Sequence, residues 1–69
     1  SSNILENIKE NIEIELDMIA EDYDCVLKVK RASQKFKELI RKLYKKDNSQ
    51  VVILIDEYDR PILDTIDNI

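Results

Sequence analysis

Residues 51 to 55, Val51-Val52-Ile53-Leu54-Ile55, place five branched apolar side chains in an unbroken row, and the acidic pair Asp56-Glu57 follows at once. No polar residue alternates with them, so a strand with one wet face is excluded. An apolar run of this length that ends in carboxylates reads as a strand covered on both faces, as in parallel sheets. In open sheets of that kind ligands bind beyond the carboxyl ends of the strands, which is where Asp56 and Glu57 would sit. Neighbouring side chains on a strand point to opposite faces, so the two acids would not be equivalent.

The flanking segments read as helices. Ser1-Ser2-Asn3 offers capping oxygens ahead of Ile4, Ile8, Ile12, Leu16 and Ile19, which recur at steps of three and four. This predicts a helix over about 3–21. Ile14 and Met18 stand off that stripe and mark a second contact surface. Residues 21 to 25 read as a connection. Val26-Leu27-Lys28-Val29-Lys30 fits either a short strand or the opening turns of a helix. The spacing of Val26, Val29, Ser33, Phe36, Ile40 and Leu43 favours a helix over about 26–46, and Asp47-Asn48-Ser49-Gln50 reads as the polar turn that ends it. After the strand at about 51–56, Asp59 or Arg60 would cap a last helix over about 60–69, with Pro61 in its first turn. Ile62, Leu63, Ile66 and Ile69 follow at helical steps.

The expected order is therefore helix, helix, strand, helix, with one strand and no partner for it. A buried strand without a ladder leaves backbone N–H and C=O groups unsatisfied. The expected fold class is thus α/β, an incomplete piece of a parallel-sheet domain, mostly helical as an isolated chain. Its partner would be the missing remainder of the domain or another chain pairing with strand 51–56. Residue 1 is Ser rather than Met and the last helix shows no stop signal, so the segment is expected to be cut from a longer polypeptide.

Composition narrows the chemistry. The 69 residues allow one small domain. There is one cysteine, Cys25, and no histidine, which excludes an internal disulfide, a Cys/His zinc site and any His-dependent catalytic pair. A lone thiol fits a reducing cytoplasm. No stretch reaches the roughly 18 to 20 apolar residues of a membrane span, and Glu6, Glu10 and Glu13 stand where a signal peptide would be basic and then apolar. Charge falls in blocks: −7 over residues 1 to 25, +8 over 26 to 46 and −5 over 47 to 69, for a net −4. The nine basic residues of the middle block could face phosphates, but only Phe36 and Tyr44 accompany them, both on the apolar face. A solvated helix face is the preferred reading.

The longer string Leu54-Ile55-Asp56-Glu57-Tyr58-Asp59-Arg60-Pro61-Ile62-Leu63-Asp64 resembles the Walker B region of the bacterial and archaeal AAA-ATPase-like family, P-loop ATPases often joined to a PD-(D/E)XK nuclease-like domain. The close match covers about residues 51 to 64. The resemblance implies a P-loop-type domain with Mg-ATP as cofactor of the intact protein. It gives Asp56 the magnesium-binding role, through water, and Glu57 the role of activating the attacking water. Asp59 and Arg60 belong to the motif without an assigned step. The chain departs from the family pattern in having no glycine, where about 7% usage would give roughly five. The phosphate-cradling Walker A loop, which needs glycines followed by Lys-Ser/Thr, is therefore not in this sequence. The resemblance implies an ATPase fragment that binds and hydrolyses no ATP alone, with nucleic-acid binding reserved for the intact protein. The alternative is a small helical interaction module without catalysis, in which residues 51 to 55 meet a partner by strand addition or extend into Asp56-Glu57-Tyr58 as a core helix.

Overall fold

The computed structural model describes residues 2–58 and 60–68, with side chains for 4–58 and 62–68. The stripe of α1 (Ser2–Asp22) turns Leu16 and Ala20 fully inward and half-buries Ile12 and Ile19. The amino-terminal half of the same stripe overhangs the core, leaving Ile4, Leu5 and Ile8 exposed. At its other end α1 closes with paired bonds from Cys25 N–H to the Ala20 carbonyl (2.8 Å) and from Asp24 N–H to the Glu21 carbonyl (3.1 Å). This closure needs a left-handed residue, usually glycine. Here Asp24 takes it, with φ +56°.

Residues 25 to 30 form no regular element. The expected helix over 26–46 starts later, as α2 (Ala32–Leu43). Side chains of α2 satisfy the connector's backbone instead. Glu38 accepts from Lys28 N–H at 2.8 Å, and Lys42 Nζ donates to the Val26 carbonyl at 2.6 Å. The apolar face of α2 buries Ala32, Leu39 and Leu43 and packs against α1, α3 and α4.

The expected strand is not formed. Residues 51 to 56 lie in a helix, α3 (Asn48–Glu57), and among the described residues there is no strand and no sheet. The α/β reading, the parallel sheet and the order helix-helix-strand-helix are all overturned: the described residues form four helices. The physical reason is where the backbone bonds go. A helix closes its N–H to C=O bonds within its own segment, whereas a strand must find a neighbour, and these residues supply none. The segment read as a stop signal for α2 is the start signal for α3. Asp47 is its N-cap and accepts from Gln50 N–H at 3.1 Å, three residues on.

The last helix, α4 (Arg60–Asp67), follows near its expected place and buries Leu63 and Ile66. The expectations placed on Ser1, Asp59 and Ile69 lie outside the described residues. The core is one cluster shared by all four helices, and among the described residues no buried polar side-chain atom lacks a partner. No described helix is long and apolar enough to cross a membrane.

Candidate functional site

α3 places both sequence-derived site residues. On a helix consecutive side chains diverge by about 100°, so Asp56 and Glu57 leave the last turn of α3 in different directions. Both are exposed. Tyr58, the next residue of the string, turns the other way into the core. Its ring lies 6.0 Å from that of Phe36 at 55°, and the Glu15 carboxylate of α1 lies near its hydroxyl. Burial, and then the Glu15 and Glu57 carboxylates, push the Tyr58 hydroxyl well above the ordinary tyrosine range.

Two adjacent, diverging carboxylates offer a hard cation a partial shell at most, and among the described residues no group of three acidic, His or Cys side chains is placed to hold a metal. A phosphate needs convergent backbone N–H groups, which helix amino termini supply. Two of the amino termini here are already taken by carboxylates of the chain itself. Asp47 caps α3, and Asp67 of α4 accepts from the backbone N–H and the hydroxyl of Ser33 in the first turn of α2. Two grooves among the described residues are lined without Asp56 or Glu57. One of about 340 Å³ runs between α1 and α4, lined by Leu5, Ile8, Ile62, Thr65 and Ile66. Another of about 300 Å³ is lined by Glu10, Glu13, Ile14, Asp17, Lys30 and Lys35.

The polar pairs that join the helices were not legible in the sequence. Lys35 is buried and its ammonium contacts both oxygens of Asp17 at 2.7 and 2.8 Å. Tyr23 donates to Asp47 at 3.0 Å, tying the end of α1 to the cap of α3. That bond, followed by burial and the Asp47 charge, raises the Tyr23 hydroxyl. Lys46 Nζ reaches the Tyr23 carbonyl at 2.7 Å. Glu38 is lowered, first by the Lys28 N–H and then by the charges of Lys42 and Arg41. Sequence separation hides these pairs, which span 10 to 24 residues. Part of the basic block is thereby used inside the fold: Lys35, Lys42 and Lys46 in the bonds above, and Arg41 at 4.0 Å from Glu38. Asp47-x-x-Gln50 was the one readable signal, as an N-cap pattern.

Between its polar ends α3 also offers apolar side chains outward. Val51, Leu54 and Tyr58 face the core, while Val52, Ile53 and Ile55 are 63%, 50% and 55% exposed. No curated protein and no solved structure matches the chain. The family model described as Predicted AAA-ATPase, AAA-ATPase-like, matches residues 1–69, and since that match spans the whole sequence the chain belongs to this AAA-ATPase-like family.

Proposed function

We propose that this chain is a segment of a P-loop ATPase that carries the Walker B acidic pair and depends on the rest of the enzyme for its nucleotide site. The observation that carries the proposal is the family match over residues 1–69 together with the string Asp56-Glu57-Tyr58-Asp59-Arg60-Pro61. In the intact ATPase, Asp56 is the candidate magnesium carboxylate, acting through water, and Glu57 the candidate for poising the hydrolytic water. The absence of glycine supports a phosphate cradle supplied from elsewhere in the enzyme. The lone Cys25 accords with a cytoplasmic setting.

Titration of the 69-residue chain with ATP and magnesium, followed by calorimetry, is expected to give no binding heat. Saturable magnesium-dependent binding would overturn the assignment of the cradle to the rest of the enzyme. In the polypeptide that joins this segment to a P-loop, Glu57→Gln is expected to slow hydrolysis about 100-fold with ATP still bound, and Asp56→Asn to weaken magnesium-dependent binding. Unchanged hydrolysis in both variants would remove the Walker B roles.

A second reading has its own support. The four helices share one core, and α3 turns an apolar face outward. These features favour a small helical interaction module without catalysis. Full ATPase activity of the Glu57→Gln, Asp56→Asn double variant in the longer polypeptide would favour that module.

A further inference from the structure

The middle of α3, residues 51 to 55, is apolar on every side: Val51 and Leu54 on the core side, with Tyr58 just beyond the helix, and Val52, Ile53 and Ile55 on the outer side. Helices of that kind are normally covered all round. Its charges are also polar along the axis. Asp56 and Glu57 occupy its last turn, which holds no base, and Lys45 and Lys46 stand just ahead of its amino end. Apart from the capping Asp47, which is engaged by Gln50 and Tyr23, each end thus carries charge of the sign its own helix dipole disfavours.

A second α3 laid antiparallel corrects both ends at once. It brings its Asp56 and Glu57 beside the Lys45 and Lys46 end, and its own lysines beside the acidic end. A parallel neighbour would set like charge against like. We propose that a second copy of this chain covers α3, the two helices running antiparallel about a two-fold axis. Val52 of each copy packs on Ile55 of the other, and Lys45 of each faces Asp56 of the other, which lies next to Val52 on the helix surface. Such a contact is self-complementary and closed, so it stops at a dimer. The outer face of a ten-residue helix offers on the order of a few hundred Å², short of the roughly 800 Å² per partner of a stable complex. The dimer is therefore weak and dependent on concentration. The proposal stands apart from the ATPase reading, because it concerns the chain alone and involves no nucleotide.

Sedimentation equilibrium from about 10 μM to about 1 mM tests it. The expected result is a monomer–dimer equilibrium that weakens with added salt. The Val52→Lys, Ile55→Lys variant should weaken association at least about tenfold with its helical circular dichroism unchanged, since both side chains point away from the core. Lys45→Glu should weaken association, and adding Asp56→Lys should restore it. If the double-lysine variant loses helix, cross-linking decides. In a Cys25→Ser background, a mixture of Val52→Cys and Ile55→Cys should form the 52–55 disulfide in preference to 52–52 or 55–55. A monomer throughout, association untouched by Val52→Lys, Ile55→Lys, species larger than a dimer, or preferred 52–52 cross-links would each overturn the proposal.

Discussion

Asp24 occupies the backbone position that glycine fills in most helices that end this way. A left-handed conformation brings Cβ close to the following carbonyl oxygen, which costs an ordinary L-residue roughly 1–2 kcal/mol and Asp or Asn less. The bonds from Asp24 and Cys25 back to α1 hold it there. Asp24→Gly is therefore expected to stabilise the fold by about 0.5–1 kcal/mol, and Asp24→Val to destabilise it by more than that. Urea denaturation of the two variants checks both signs; a Gly variant less stable than the parent would show that the aspartate is favoured here for another reason. The positive φ had no sequence signal beyond the polar run Glu21-Asp22-Tyr23-Asp24, because a chain without glycine gives no marker for a left-handed turn.

At the scale of the element, α3 shows how a correct reading of hydrophobicity leads to the wrong secondary structure. Val51-Val52-Ile53-Leu54-Ile55 is rich in residues that favour strands, and nothing in its pattern alternates at helical spacing. β-propensity is decided by neighbours, however, and the neighbours here are helices. What the core receives is Val51, Leu54 and Tyr58, a set spaced by three and four. The helix register makes a sharp expectation. Leu54→Ala, at a site with no exposed surface, should cost about 2–4 kcal/mol. Val52→Ala, on the outer face, should stay within about 0.5 kcal/mol. Comparable losses at both positions in chemical denaturation of the monomer would mean that the segment is covered on two sides, as a strand would be. The site suffers from the same ambiguity: Asp56 and Glu57 were legible as a motif, but their directions depend on whether the residues before them form a helix or a strand.

For the molecule as a whole, polar cross-links join what the apolar cluster packs. The acidic first block and the basic second block meet at Asp17–Lys35, and α1 reaches the cap of α3 through Tyr23–Asp47. Tyr23 donates to Asp47, Tyr58 is buried beside the Glu15 carboxylate, and both hydroxyls are raised in the folded chain. A raised pKa means that the folded state holds the proton more tightly than the unfolded state. The stability tied to these groups is complete below the ordinary tyrosine value of about 10 and is lost as pH rises beyond it. Glu38 runs the other way: its pKa is lowered, so its contribution is present above the ordinary carboxylate range and lost as pH falls through the lowered value. The melting temperature is therefore expected to drop above about pH 10, and Tyr58→Phe to flatten that drop. An identical alkaline profile in Tyr58→Phe would locate the loss elsewhere.

The amino-acid order by itself determined what depends on neighbours along the chain. It marked α1, the apolar face of α2 and the start of α4 by spacing, the division into charge blocks, the exclusion of zinc and histidine chemistry, and the resemblance to the AAA-ATPase-like family that the family match bears out. Only the tertiary structure decided whether residues 51 to 55 run as a helix or a strand, which of their side chains reach the core, and which distant charges pair. The reason is the range of the forces involved. Helical periodicity and capping act over three or four residues and are written in the sequence. The choice between helix and strand for a short, uniformly apolar run is made by groups that lie far away along the chain and meet it only in the fold.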